Sequence, residues 1–319
     1  MNVGIAPPRA KALDPGKFAD PRVTRGGKTR ASVPLSAIRT LWFNTGTLCN
    51  LTCANCYIES SPRNDRLTFL AAADVEPYLD ELAKAGEAEA EIGFTGGEPF
   101  MNPALLELLE LVLARGHRAL VLTNAMRPMM KRKADLLALK ERHGARLALR
   151  VSLDHHDEAH HAEERGARSW RATLDGLVWL ERNGFVVHVA GRTRWDEGEP
   201  SLRAGYARLF GALGLGLDAH DPRTLVLFPE MDAALDVPEI SEACWGILGK
   251  RPDAMMCATS RMVVKPKGET ATRIMPCTLL AYDDRFAMGR TLAEARQPVA
   301  LNHPHCARFC VLGGGSCAA

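Results

Sequence analysis

The feature that most constrains this chain is a run of three cysteines, Cys49, Cys53 and Cys56, with three and then two residues between them. They lie in a loop that follows an apolar, strand-like segment over 38–43. Four thiolates close a tetrahedral zinc site or saturate an iron-sulfur cluster, whereas three leave one metal position open for a further ligand. Whatever fold forms must therefore present this loop at the mouth of a site, and an open position implies chemistry. On spacing alone, zinc and an iron-sulfur cluster are both open readings.

The pattern after the loop is regular. Segments 38–43, 88–95, 117–123, 146–153, 185–190 and 223–228 read as strands. Between them, 68–85, 102–116, 129–143, 169–183 and 201–213 show apolar residues at helical spacing with suitable stops, such as Gly86 and Gly116. Asn102 and Pro103 supply an N-cap and a first helical residue for the second helix. Such alternation predicts an α/β chain with a parallel sheet and right-handed crossovers, either an open doubly wound sheet or a partial barrel. In both, functional groups collect at the C-terminal ends of the strands. The cysteine loop and the segment Gly96-Gly97-Glu98-Pro99 both lie at such ends.

Beyond Pro229 the alternation stops. Residues 231–319 hold six of the nine cysteines (Cys244, Cys257, Cys277, Cys306, Cys310, Cys317) and read as a second, cysteine-dense module with a short helix near 239–248. Segments 261–264 and 272–275 flank Pro266-Lys267-Gly268, which predicts a β-hairpin with Cys257 and Cys277 near its open ends. Cys244 is as consistent with a buried apolar thiol as with a ligand. Zinc remains the competing metal for this module.

The formal net charge of +2 hides a local excess: residues 1–40 carry eight Lys or Arg against Asp14 and Asp20. With Pro and Gly abundant and Phe18 the sole aromatic, residues 1–36 read as a solvated, partly ordered basic arm rather than a nucleic-acid-binding one. No apolar run reaches the roughly 18 residues that a bilayer-spanning helix needs, and no secretory signal pattern is visible, so a cytoplasmic location is expected. Clustered cysteines in such a chain point to metal or redox work rather than disulfides.

Taken together, Cys49-x-x-x-Cys53-x-x-Cys56 after the first strand and Gly96-Gly97-Glu98-Pro99 after the second resemble the radical S-adenosylmethionine (radical SAM) superfamily. Val151-Ser152-Leu153-Asp154 followed by Arg165-Gly166 resembles the branch that carries auxiliary clusters in a C-terminal SPASM- or twitch-like module. The resemblance implies a partial (β/α)6 TIM-like barrel over 37–230 and a small cysteine-rich α+β module over 231–319. It implies a 4Fe-4S cluster on Cys49, Cys53 and Cys56, whose open iron chelates S-adenosylmethionine for reductive cleavage to a 5'-deoxyadenosyl radical. Gly96, Gly97, Glu98 and Pro99 would hold the methionyl amino group, Ser152 and Asp154 would lie by the ribose, and Tyr57 would pack nearby. Asn55 stands where many members place an aromatic residue against the adenine. In the tail, Cys257, Cys277, Cys306 and Cys310 would hold a second 4Fe-4S cluster, with Cys317 able to replace one of the last pair.

The same resemblance implies a flavodoxin- or ferredoxin-type reductant and a peptide or small-metabolite substrate that loses a hydrogen atom. The rival class is a non-catalytic iron-sulfur electron carrier. Two further features stay open. The run Asp154-His155-His156-Asp157 with His160 and His161 suits a metal or a pocket-lining loop. Arg192 and Arg194 suit either a carboxylate ligand or a salt bridge.

Overall fold

In the computed structural model, which describes residues 11–316, eight strands form one sheet. They are β1 (Thr40–Asn44), β2 (Glu91–Thr95), β3 (Ala119–Thr123), β4 (Leu147–Ser152), β5 (Val186–Arg192), β6 (Leu225–Phe228), β7 (Ser260–Val264) and β8 (Arg273–Met275). The spatial order is β6-β5-β4-β3-β2-β1-β7-β8, and every neighbouring pair is parallel except β7–β8. The fold is thus α/β with a mostly parallel sheet, consistent with a partial TIM-like barrel.

The strands read as continuous apolar runs because parallel strands are covered on both faces. Leu41, Trp42, Phe43, Ile92, Phe94, Val121, Leu149, Val151 and Val189 are all fully buried. Helices Ala72–Lys84, Leu105–Ala114, Lys133–His143, Ser169–Arg182 and Glu199–Leu213 provide the crossovers. Their buried faces follow the expected period, for example Val75, Tyr78, Leu79 and Leu82 on the first. The segment expected as one helix over 129–143 is broken after Arg127–Met130 and restarts at Lys133.

Three features depart from the sequence reading. The hairpin forms, with Met262 opposite Met275, yet it does not stand apart: β7 pairs in parallel with β1, Leu41 opposite Arg261, and extends the barrel sheet. An additional helix, Glu158–Arg165, follows β4 where only a loop was expected; Asp157 caps it, accepting from the backbone N–H groups of Ala159 and His160. Residues 11–36, most of them solvent-exposed as expected, are nonetheless anchored to the tail at several points. Ser32–Val33 pairs with Val299–Ala300, the buried Arg30 forms an ion pair with the partly buried Glu239, and Lys17 reaches Asp236 at 2.7 Å. The arm's charge excess is thus partly met by carboxylates of the tail.

Candidate functional site

The C-terminal ends of β1 to β5 surround one cavity. Cys49, Cys53, Cys56, Tyr57, Gly96, Gly97, Ser152 and Asp154 all line it, together with Asn55, Arg165 and Arg192. Leu279 and Phe309 from the tail complete its wall, and Phe309 packs on Phe228 with ring centroids 5.6 Å apart.

The cysteine loop is held from both sides. Thr45 N donates to Thr95 O at 2.8 Å, Cys49 N to Ser61 O at 3.0 Å, and Ala54 N to Glu164 O at 2.8 Å. The loop also presses against the double glycine: Gly97 N donates to Gly46 O and Glu98 N to Leu48 O. A Cβ on Gly97 would sit 2.2 Å from Leu48 O, and one on Gly96, whose φ is +135°, would sit 2.4 Å from Gly46 O. Glycine is required here because two backbones approach more closely than any side chain permits.

Glu98 and Pro99 do not line the cavity. The buried Glu98 carboxylate accepts from Thr123 Oγ1 (2.8 Å), Asn124 N (2.9 Å) and Phe100 N (3.2 Å), and so ties the end of β2 to the end of β3. Burial pushes its pKa up to about 7 against the pull of those donors. Pro99 is buried at the start of a short 3₁₀ turn, Pro99–Met101.

The three thiols fit an iron-sulfur cluster better than a single ion. Four sulfurs around one zinc stand roughly 3.8 Å apart, from Zn–S bonds of about 2.3 Å in a tetrahedron. Among the described residues, the groups whose ligand atoms converge within 4.8 Å are two histidine–carboxylate sets, and the loop cysteines are not among them. Leu51 N and Ser60 N each lie 3.4 Å from a cysteine sulfur, Cys49 and Cys56 respectively, as donors suited to thiolates. Burial raises Cys49 to about 12 and also raises Cys53, so ionising these thiols requires a positive partner such as a metal.

Asp154 faces Arg165 in a two-pronged pair, with Arg165 Nη2 3.1 Å from Oδ1. Burial lowers the pKa of the Arg165 guanidinium, but Asp154 first, with Cys53 and Cys49 behind it, raises it overall. Glu164 is a second hub. Its side chain, 1% exposed, accepts from Asn55 N (2.8 Å) and Asn55 Nδ2 (2.9 Å) and pairs with Arg192 and Arg194 at 2.8 Å each. Asn55, set where an aromatic was expected, thus anchors the turn between Cys53 and Cys56. Arg192 and Arg194 also face Glu230, at 3.1 and 3.9 Å, so they take the salt-bridge reading.

Within the histidine run, His155 is hydrogen-bonded at both ring nitrogens, and it belongs to both of the histidine–carboxylate sets, His155-Asp157-His160 and His155-His156-Glu197. Asp157 N donates to His155 Nδ1 at 3.0 Å, which leaves the proton on Nε2 to be donated to Glu197 Oε2, also at 3.0 Å. Both ring nitrogens of His155 are therefore used.

Residues Arg165 and Glu164 were not identified as functional side chains from sequence. The available signal was Asp157 as an N-cap with Gly166 as a stop, which marks a polar helix between them.

In the tail, Cys257 precedes β7, Cys277 follows β8, and Cys306 and Cys310 lie one turn apart on the π-helix Cys306–Leu312. Cys257, Cys277 and Cys306 are buried, and Cys257 lies close enough to Cys306 to oppose its ionisation. Cys317 lies outside the described residues.

Residues 43–193, just under half of the chain, match the model of the Radical SAM superfamily. The antilisterial bacteriocin subtilosin biosynthesis protein AlbA of Bacillus subtilis is 32% identical over 169 residues, 53% of this chain and 35% of that protein. The chain thus spans about a third of the length of this curated relative. Among solved structures, Streptococcus suis SuiB bound to its precursor peptide SuiA superposes with a TM-score of 0.58 at 13% identity, over 80% of this chain and 63% of SuiB. Native anSMEcpe with bound AdoMet gives 0.57 at 14% identity, over 82% and 81% of the two chains. At these identities the structural likenesses establish the fold. The family match and the AlbA relative support the radical SAM superfamily, whose members use a 4Fe-4S cluster and S-adenosylmethionine. Among the described residues, no helix is long and apolar enough to cross a membrane.

Proposed function

We propose that this chain is a radical SAM enzyme that modifies a peptide. Cys49, Cys53 and Cys56 would hold the 4Fe-4S cluster, and Gly96, Gly97, Ser152, Asp154 and Tyr57 would form the walls around S-adenosylmethionine. The observation that carries this reading is the convergence of three buried or half-buried thiols and a glycine cradle on one cavity. When bound, the cluster supplies the electron that cleaves S-adenosylmethionine to a 5'-deoxyadenosyl radical, which takes a hydrogen atom from the substrate.

The chain's own residues have definable tasks. Glu164 holds Asn55 and so keeps the Cys53–Cys56 turn open toward the cavity. Glu98 locks the β2 and β3 ends that carry the glycine cradle. Leu279, Phe309 and Phe228 give the cavity an apolar wall that excludes water from a reactive intermediate. Asp154 and Arg165 present opposite charges side by side, a pairing suited to a zwitterionic ligand.

A second 4Fe-4S cluster on Cys257, Cys277, Cys306 and Cys310, or with Cys317 in place of one of the last two, belongs to the same proposal. So does the division into a barrel over 37–230 and a cluster module over 231–319. A flavodoxin or ferredoxin would supply electrons in the cytoplasm. The peptide substrate is supported by the biosynthetic role named for AlbA and by the peptide bound to SuiB.

Anaerobic reconstitution tests the proposal. Iron on both cysteine sets and dithionite-dependent release of 5'-deoxyadenosine are expected, with a mass change in a precursor peptide encoded beside this chain. Iron without cleavage would identify an electron carrier instead, and zinc without iron would end the cluster reading.

A further inference from the structure

Arg261 is the second residue of β7, with its side chain fully buried. Its guanidinium donates from Nε to Ala295 O (2.8 Å), from Nη1 to Cys257 O (2.6 Å) and Ser260 O (2.7 Å), and from Nη2 to Gln297 O (3.3 Å). Every one of these acceptors is a neutral carbonyl. The hydrogen bonds satisfy the donors but do not neutralise the charge.

Three other arginines of the fold are held differently. Arg30, Arg165 and Arg192 are also buried or nearly so, and each faces a carboxylate: Glu239, Asp154 and Glu164 respectively. Among the described residues, Arg261 forms no ion pair with any carboxylate. Burial lowers its pKa; the anion-capable side chains beside it are Cys257 and Cys277, which as thiolates would hold its proton, while Arg296, itself paired with Glu87, acts with the opposite sign. A buried, unbalanced cation is costly, and an anion bound beside it would offset that cost.

We infer that Arg261 is the buried counter-charge of the metal–thiolate centre proposed for Cys257, Cys277 and Cys306, and that it sets the reduction potential of that centre. The inference rests on the tail-cluster reading. A cluster held by four thiolates is net anionic and gains negative charge on reduction. A fixed guanidinium in a low-dielectric surrounding therefore favours the reduced form and raises the potential. Arg261 touches the backbone carbonyl of a ligand residue, Cys257, so it also fixes the start of the strand from which that ligand hangs.

The test uses the full chain carrying Cys49→Ala, Cys53→Ala and Cys56→Ala, so that the tail centre is observed alone. Iron content and an EPR-monitored redox titration are compared for Arg261, Arg261→Lys and Arg261→Gln. Arg261→Gln is expected to shift the midpoint to a more negative potential, and Arg261→Lys to stay near the parent. Should Arg261→Gln load iron poorly, its thermal stability is compared before and after reconstitution. Loading is then expected to stabilise it less than it stabilises the parent. An iron-loaded Arg261→Gln with an unchanged midpoint, or an equal gain in stability on loading, would overturn the role of Arg261 alone. A parent tail that binds no iron would instead overturn the tail-cluster reading and the inference with it.

Discussion

The two cysteine-bearing regions balance charge in opposite ways. Around Cys49, Cys53 and Cys56, the protein completes its own ion pairs, Arg165 with Asp154 and Arg192 and Arg194 with Glu164, and leaves a cavity open beside the sulfurs. Around Cys257, Cys277 and Cys306, the sulfurs are buried and the nearby guanidinium of Arg261 lacks a carboxylate. A site that must receive a charged ligand needs paired residues that hold their shape before it arrives. On the proposed reading of the tail, a closed centre that only stores charge would leave its counter-ion without a carboxylate until the metal is bound. The contrast explains why similar ligand atoms sit in such different surroundings.

The sharpest way to break the comparison is to remove one ligand from each region. Cys53→Ala is expected to abolish 5'-deoxyadenosine formation, whereas Cys306→Ala retains it while losing tail iron; chromatography of the nucleoside and iron analysis separate the two. If both variants lost cleavage equally, the regions would not be functionally distinct.

Next in size is the Glu164 hub. Glu164→Gln leaves Arg192 and Arg194 only the part-exposed Glu230 and Glu163 as carboxylate partners, so the loss should fall near the lower end of the about 3–5 kcal/mol that breaking a buried pair costs, to be read from denaturant unfolding. An effect under about 1 kcal/mol would mean that this network does not hold the turn, since exposed pairs contribute no more than that.

Glu98 tests the same region through pH. Its pKa in the fold, about 7, lies above the ordinary 4.5, so the folded protein holds the proton longer than the unfolded chain. Its contribution to stability therefore declines as pH rises from about 4.5 to 7 and is level outside that window, a span of roughly 3 kcal/mol. Glu98→Gln should remove this slope, which unfolding curves at several pH values would reveal.

The smallest effect is expected for Gly97→Ala. The added methyl meets Leu48 O and must displace one of two packed loops, costing roughly 2 kcal/mol and weakening S-adenosylmethionine binding measured by equilibrium dialysis. Unchanged stability and binding would show that the close approach has no role.

Much of this arrangement is legible in the residues. Strand–helix alternation follows from local periodicity, and the Gly96-Gly97 cradle from residue type. Helix Glu158–Arg165 escaped notice because its buried face is formed by His161 and Glu164, not by an apolar stripe. The role of Asn55 depends on Glu164, 109 positions away, and local pattern contains no trace of such a contact. The parallel pairing of β7 with β1 was hidden for the same reason: a hairpin signal specifies its own two strands, not the sheet it joins. Arg261 resembles any strand arginine until that pairing buries it.

The docked arm has a consequence for how the molecule is made. Arg30 bonds Leu301 O across 271 positions, so this contact cannot form until residue 301 has emerged. At about 5–20 residues per second, a ribosome needs roughly 14–54 seconds to cover that separation. Contacts this distant also close slowly. The barrel and its cysteine loop can consequently fold, and meet the cell's cluster-delivery machinery, before the arm seals the tail. Arm docking is therefore a late event in synthesis, set after the strands of the parallel sheet have emerged.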